Sequence, residues 1–105
     1  MTINENIVNK AKKKALQSIC RYKISATGFN AGGECVASTF NRPRFMKQGG
    51  GIHAEMSLMQ QAKRKGIRTI VICRVNPNGN LMPISPCKVC NEKAKELGIK
   101  IVTIA

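Results

Sequence analysis

The chain has no tryptophan and no aspartate, and only one tyrosine and three phenylalanines. Without large rings, a core must be assembled from Ile, Val, Leu, Met and Ala, and a surface built on several stacked aromatics has few residues to draw on. Long apolar runs are also missing. The longest, Ile70 to Cys73, is far short of the ~20 residues that a spanning helix needs, so no membrane partner is expected. The N-terminal residues show neither the apolar stretch nor the small-residue cleavage site of an export signal, and a cytoplasmic location is the expectation. Acidic residues are scarce: Glu5, Glu34, Glu55, Glu92 and Glu96 face 18 Lys and Arg, for a net charge of +13. The five cysteines are an odd number, which fits poorly with a fully paired disulfide framework. In a reducing compartment such thiols are buried, catalytic or metal-bound.

What is present suffices for one small domain spanning residues 1–105. Apolar residues make up 43% of the chain, enough for a packed core. The basic residues are shared evenly between the two halves, with no basic tail, so the charge belongs to the folded domain. A surface of this sign attracts polyanions such as nucleotides and nucleic acid.

The pattern along the chain is α-β-β-α-β-α-β. Ile7, Ala11, Ala15 and Ile19 recur at helical spacing and predict a helix from Ile3 to about Cys20, opened by a Thr2–Glu5 capping box. Two alternating runs, Tyr22–Phe29 and Cys35–Phe40, flank Ala31-Gly32-Gly33 and read as a β-hairpin. Asn41–Gly51 reads as a loop. A second helix is expected from His53 to about Lys65, ended by Gly66. Ile67–Val75 has the continuous apolar character of a buried strand. A turn at 76–80 precedes a third helix, with Ser85 as cap and Pro86 in the first position. Leu97-Gly98 closes it, and Ile99–Ile104 is the last strand. This alternation predicts an α/β fold with helices covering the sheet and with parallel neighbours across each β-α-β crossover.

The chemistry gathers at two predicted helix starts. The only histidine sits in His53-Ala54-Glu55, and Cys87-Lys88-Val89-Cys90 follows 32 residues after Glu55. A spacing of three puts Cys87 and Cys90 on one helix face, where the positive helix N-terminus favours thiolates. Two thiolates and one imidazole make a three-ligand set of the catalytic zinc type, with one position open to water. Water held there ionises near pH 7, and Glu55 is placed to move its protons. Other readings are a redox C-x-x-C pair, a Cys–His nucleophile and a closed structural zinc site. The first leaves His53 and Glu55 unexplained, the second leaves one cysteine idle, and the third lacks a clear fourth ligand. Cys20, Cys35 and Cys73 are read as core thiols.

His53-Ala54-Glu55 followed by Ser85-Pro86-Cys87-Lys88-Val89-Cys90 resembles the H-x-E…P-C-x-x-C signature of the zinc-dependent cytidine and deoxycytidylate deaminase superfamily. The element order is similar to that family's minimal core, a three-layer α/β/α arrangement on a mixed sheet. The resemblance implies zinc on His53, Cys87 and Cys90. It implies that Glu55 passes a proton from water to the ring nitrogen and then to the departing amine. Asn41-Arg42-Pro43 looks like the family's substrate loop and implies Asn41 and Arg42 as substrate contacts, with Ala54 and Ser85 alongside and Phe45 able to stack on a base. Ser-Pro-Cys is similar to the cytosine-type enzymes, whereas tRNA adenosine deaminases and guanine deaminases typically carry Glu-Pro-Cys.

The implied activity is hydrolytic conversion of cytosine to uracil, on a free (deoxy)cytidine nucleoside or nucleotide. The alternatives are cytosine in single-stranded DNA or RNA, favoured by the charge but not by the few aromatics, and less so an adenosine deaminase of the tRNA type. The loop Arg42–Gly51, with Gly49-Gly50-Gly51 just before His53, is expected to make a flexible flap over the site. Most relatives add a fifth strand and a final helix after the last strand found here. The edge this leaves predicts a homo-oligomer.

Overall fold

Ile67–Val75 is the longest strand of the sheet, and every second side chain decides which layer it joins. In the computed structural model, which describes residues 3–20, 22–43, 51–52, 58–84 and 88–104, Ile70 and Ile72 point into one apolar cluster while Val71, Cys73 and Val75 point into another. The first cluster holds Leu58, Met59, Ala62, Cys90 and Ala94 from the helices on that side. The second holds Ala11 and Ala15 of the N-terminal helix, with Phe29 and Ile104. The result is a three-layer α/β/α fold with a sheet buried on both faces, as the apolar run predicts.

The elements are α1 (Glu5–Leu16), β1 (Lys23–Asn30), β2 (Cys35–Phe40), β3 (Arg42–Pro43), β4 (Gly51–Ile52), α2 (Ala62–Lys65), β5 (Ile67–Val75), β6 (Leu81–Met82), α3 (Lys88–Leu97) and β7 (Lys100–Ile104). The main sheet is mixed. β1 lies antiparallel to both β2 and β5, β6 pairs antiparallel with the end of β5, and β7 runs parallel to β5.

Several expectations are corrected. α1 is capped by Asn4, whose Oδ1 accepts the Ile7 amide at 2.9 Å, rather than by Thr2. It ends at Leu16, where Gln17 and Ser18 bond back to its last carbonyls. β2 and β5 are not neighbours across their crossover, because β1 lies between them. Among the described residues, only the β5–α3–β7 crossover joins parallel neighbours. Within the expected second helix, Leu58 and Met59 are helical, a turn follows at 60–61, and α2 then ends on Gly66 at φ 68°. The short strands β3, β4 and β6 fall where the sequence shows only loop or turn signals. Cys35 is exposed on β2, not a core thiol, whereas Cys73 is fully buried.

One end of the sheet gathers several chain connections. There β1 begins, β2 ends and β5 ends, with Lys23 opposite Val75 and Ser25 opposite Phe40. β6 pairs with Arg74 and Val75 at the same end.

Candidate functional site

Asn41 follows the last residue of β2 at this end and is buried. Its amide donates to the Ile24 carbonyl at 2.9 Å, and its own carbonyl accepts the Ser18 hydroxyl at 2.9 Å. Its side chain closes a second pair: Oδ1 accepts the Ile24 amide at 3.0 Å and Nδ2 donates to the Tyr22 carbonyl at 2.7 Å. Ser18 Oγ also accepts the Cys20 amide at 3.1 Å, and Lys23 Nζ donates to the Ser18 carbonyl. The α1–β1 connection is thereby tied to the end of β2. These bonds satisfy backbone groups that no strand ladder reaches, as buried polar groups require.

Directly after Asn41, the backbone of Arg42 pairs with Ile52 and that of Pro43 with Gly51. The residue before His53 is thus bonded to the residue after Asn41. The chain is next described at Leu58 and Met59, which share an apolar cluster with Cys90. Cys90 lies near the start of α3 and is 1% exposed. The segments that carry His53-Ala54-Glu55 and Ser85-Pro86-Cys87 therefore both lead into the same buried cluster. His53, Ala54, Glu55, Phe45, Ser85 and Cys87, like the Gly49–Gly50 part of the expected flap, lie outside the described residues.

Among the described residues no group of three His, Cys, Asp or Glu side chains surrounds a common point. Of the expected ligands only Cys90 is described. The chemistry of the full set, two thiols and one imidazole, fits zinc, a borderline-soft cation that takes sulfur and nitrogen donors.

Two further side chains at this end were not singled out by motif. Arg74 Nη1 donates to the Pro83 carbonyl at 3.3 Å, two residues before Ser85. The same guanidinium lies 4.3 Å from the centroid of the Tyr22 ring. The one sequence signal was that Tyr22 is the only tyrosine, in a chain poor in rings. On α1, Lys14 Nζ lies 5.4 Å from the Phe40 ring centroid. Among the described residues no helix is long and apolar enough to cross a membrane.

Comparison with known proteins agrees with this architecture. Residues 1–105 match the family model described as the cytidine and deoxycytidylate deaminase zinc-binding region. The fold is similar to cytidine deaminase from Mycobacterium leprae, at TM-score 0.68 and 18% identity, over 97% of this chain and 89% of that one. It is also similar to cytidine deaminase from Mycobacterium tuberculosis, at TM-score 0.66 and 16% identity, over 99% of this chain and 86% of that one. At these identities the likeness is one of fold. No curated protein matches the chain in sequence. With the family model matching from end to end, the chain belongs to the cytidine and deoxycytidylate deaminase zinc-binding family, whose members are hydrolytic deaminases acting on a C–N bond.

Proposed function

We propose that this single domain is a zinc-dependent deaminase that converts a cytosine base to uracil on a free (deoxy)cytidine nucleoside or nucleotide. The observation that supports the reading is that chain segments next to the motif residues meet in the fold. Arg42 pairs with Ile52 beside His53, and Leu58 and Met59 pack in one cluster with Cys90. His53, Cys87 and Cys90 are the zinc ligands in this reading, and Glu55 is the acid–base residue. When bound, zinc supplies a Lewis acid that lets water ionise near neutral pH.

The rest of the chemistry belongs to the chain. The Glu55 carboxylate takes a proton from the attacking water and delivers it to N3 of the ring, then carries the next proton to the exocyclic amine. A bond forms between C4 and oxygen, the bond from C4 to the amine breaks, and ammonia leaves. Arg42 supplies positive charge for a phosphate or sugar oxygen, Phe45 a ring for the base, and Ala54 and Ser85 the walls of the pocket. The family supports cytosine as the base, and Ser85-Pro86-Cys87 supports it over adenine. A cytoplasmic homo-oligomer fits the cysteine usage and the outer edge of β7, which among the described strands pairs with β5 alone.

The test is turnover of deoxycytidine, deoxycytidine monophosphate and a cytosine-containing single-stranded oligonucleotide, with uracil products counted by mass spectrometry. Conversion of a free substrate to deoxyuridine or its monophosphate, lost in Glu55→Ala while zinc is retained, is expected. Turnover of the oligonucleotide alone would reassign the substrate, and unchanged turnover in Glu55→Ala would overturn the proposed chemistry.

A further inference from the structure

Large apolar side chains remain exposed between the end of α1 and the start of β1. Leu16 is exposed, Ile19 is 80% exposed and Tyr22 is 52% exposed. They follow one another at three-residue intervals. On the α1 side, Leu16 Cδ1 would lie 3.6 Å from a β-carbon placed on Gly79 in the 76–80 turn. On the other side, Tyr22 meets Arg74, which shares a register position with Ile24. Tyr22 is the most exposed of the described aromatic residues, while Phe29 is buried in the core. The bond from Arg74 to the Pro83 carbonyl holds the guanidinium beside the ring, so the pair forms a preset platform.

Among the described residues, the charges on the segments that adjoin this platform have one sign. Lys13 and Lys14 occupy the last turn of α1, with Lys14 over the Phe40 ring, and Lys23, bonded to the Ser18 carbonyl, opens β1. The described acids lie elsewhere: Glu5 in the first turn of α1, Glu34 in the β1–β2 turn, and Glu92 and Glu96 on α3. We infer that Ile19, Tyr22 and Arg74, with the lysines at the end of α1, form a docking surface for single-stranded nucleic acid. Bases have π-faces that stack on an exposed ring paired with a guanidinium, and the phosphates between them meet the lysines. A second copy of this chain would bring the same positive charge against it. An anionic lipid surface would satisfy the lysines but gives the Tyr22–Arg74 pair no planar partner.

The test uses the full chain with fluorescently labelled oligothymidylate, followed by anisotropy over a range of salt concentrations. Thymine carries no exocyclic amine, so binding is read separately from deamination, and failure here leaves the proposed enzyme activity untouched. Tyr22→Leu is expected to weaken binding by ~5-fold or more with the salt slope unchanged. Arg74→Gln is expected to weaken binding and lower the slope by about one. Lys95→Gln, on α3, is expected to stay within about twofold of the parent chain, because screened charges at a distance contribute little. Tyr22 is the only tyrosine and there is no tryptophan, so the intrinsic fluorescence lifetime of the unmutated chain reports on that ring alone. It is expected to shorten as oligothymidylate saturates. An unchanged lifetime at saturation would overturn the inference. So would equal losses in Arg74→Gln and Lys95→Gln with none in Tyr22→Leu, or binding to phosphatidylserine vesicles without binding to the oligonucleotide.

Discussion

The side chain of Asn41 and the backbone of Ile24 form a closed pair: Oδ1 accepts the Ile24 amide at 3.0 Å while the Ile24 carbonyl accepts the Asn41 amide at 2.9 Å. With Nδ2 on the Tyr22 carbonyl, this residue does the work of a missing strand partner. Asn41→Ala would leave the part-buried Ile24 amide and Tyr22 carbonyl without that partner, at about 1 kcal/mol for each hydrogen bond lost. The expected outcome is a lower denaturant midpoint, with Asn41→Asp intermediate because it keeps the acceptor and loses the donor. An unchanged midpoint with a raised KM would assign the side chain to substrate alone.

Gly28 is placed by space rather than by backbone angle. A β-carbon there would sit 2.9 Å from Ile67 Cδ1 and 3.2 Å from Ile67 Cγ1. Ile67 is itself buried in the cluster beneath α2, so it has little room to yield. Gly28→Ala is expected to destabilise by about 1–3 kcal/mol, the usual cost of overpacking. Ile67→Val removes the closest methyl group. The double variant should therefore be more stable than the sum of the two single changes allows, and strict additivity in chemical denaturation would count against the contact.

Cys73 links stability to alkaline pH. Burial pushes its thiol up to about 11, against the pull of Lys12, from an ordinary value of 9.0. The unfolded chain gives up this proton first, so the stability held below 9.0 is lost as pH rises toward 11. Two units correspond to a fall of about 3 kcal/mol. Cys73→Ala is expected to flatten that slope while lowering stability at neutral pH through the lost packing. In the native state, iodoacetamide should modify exposed Cys35 well before Cys73, as peptide mass mapping would show.

The proposed ligands and the proposed base separate in a metal assay. His53→Ala and Cys87→Ser are expected to lose both zinc and turnover. Glu55→Ala should keep zinc while kcat falls by ~100-fold or more. Cys90→Ser carries a second cost, because this side chain is 1% exposed and packs with Leu58 and Met59. Its thermal midpoint should therefore fall even in the zinc-free protein.

Local order along the chain was legible where periodicity and turn chemistry agree. The hairpin around Gly32-Gly33, the buried strand Ile67–Val75 and the helix ends at Gly66 and Gly98 need only nearest neighbours to be specified. The family was legible from His53-Ala54-Glu55 and Ser85-Pro86-Cys87 because the side-chain chemistry is rare and the spacing distinctive. The register of the sheet was not. A period-two pattern says which face a residue joins but not which strand lies beside it, so only the folded chain placed β1 between β2 and β5. The short strands β3, β4 and β6 are equally silent, because two-residue strands have no period of their own and exist through their partners. The capping residue of α1, the exposure of Cys35 and the stack of Arg74 on Tyr22 belong to the same class. Composition and motif determined what chemistry the chain can hold. Tertiary structure decided the order of the strands and which segments share a core cluster, because long-range contacts are chosen by packing of the whole core and not by any local stretch of residues.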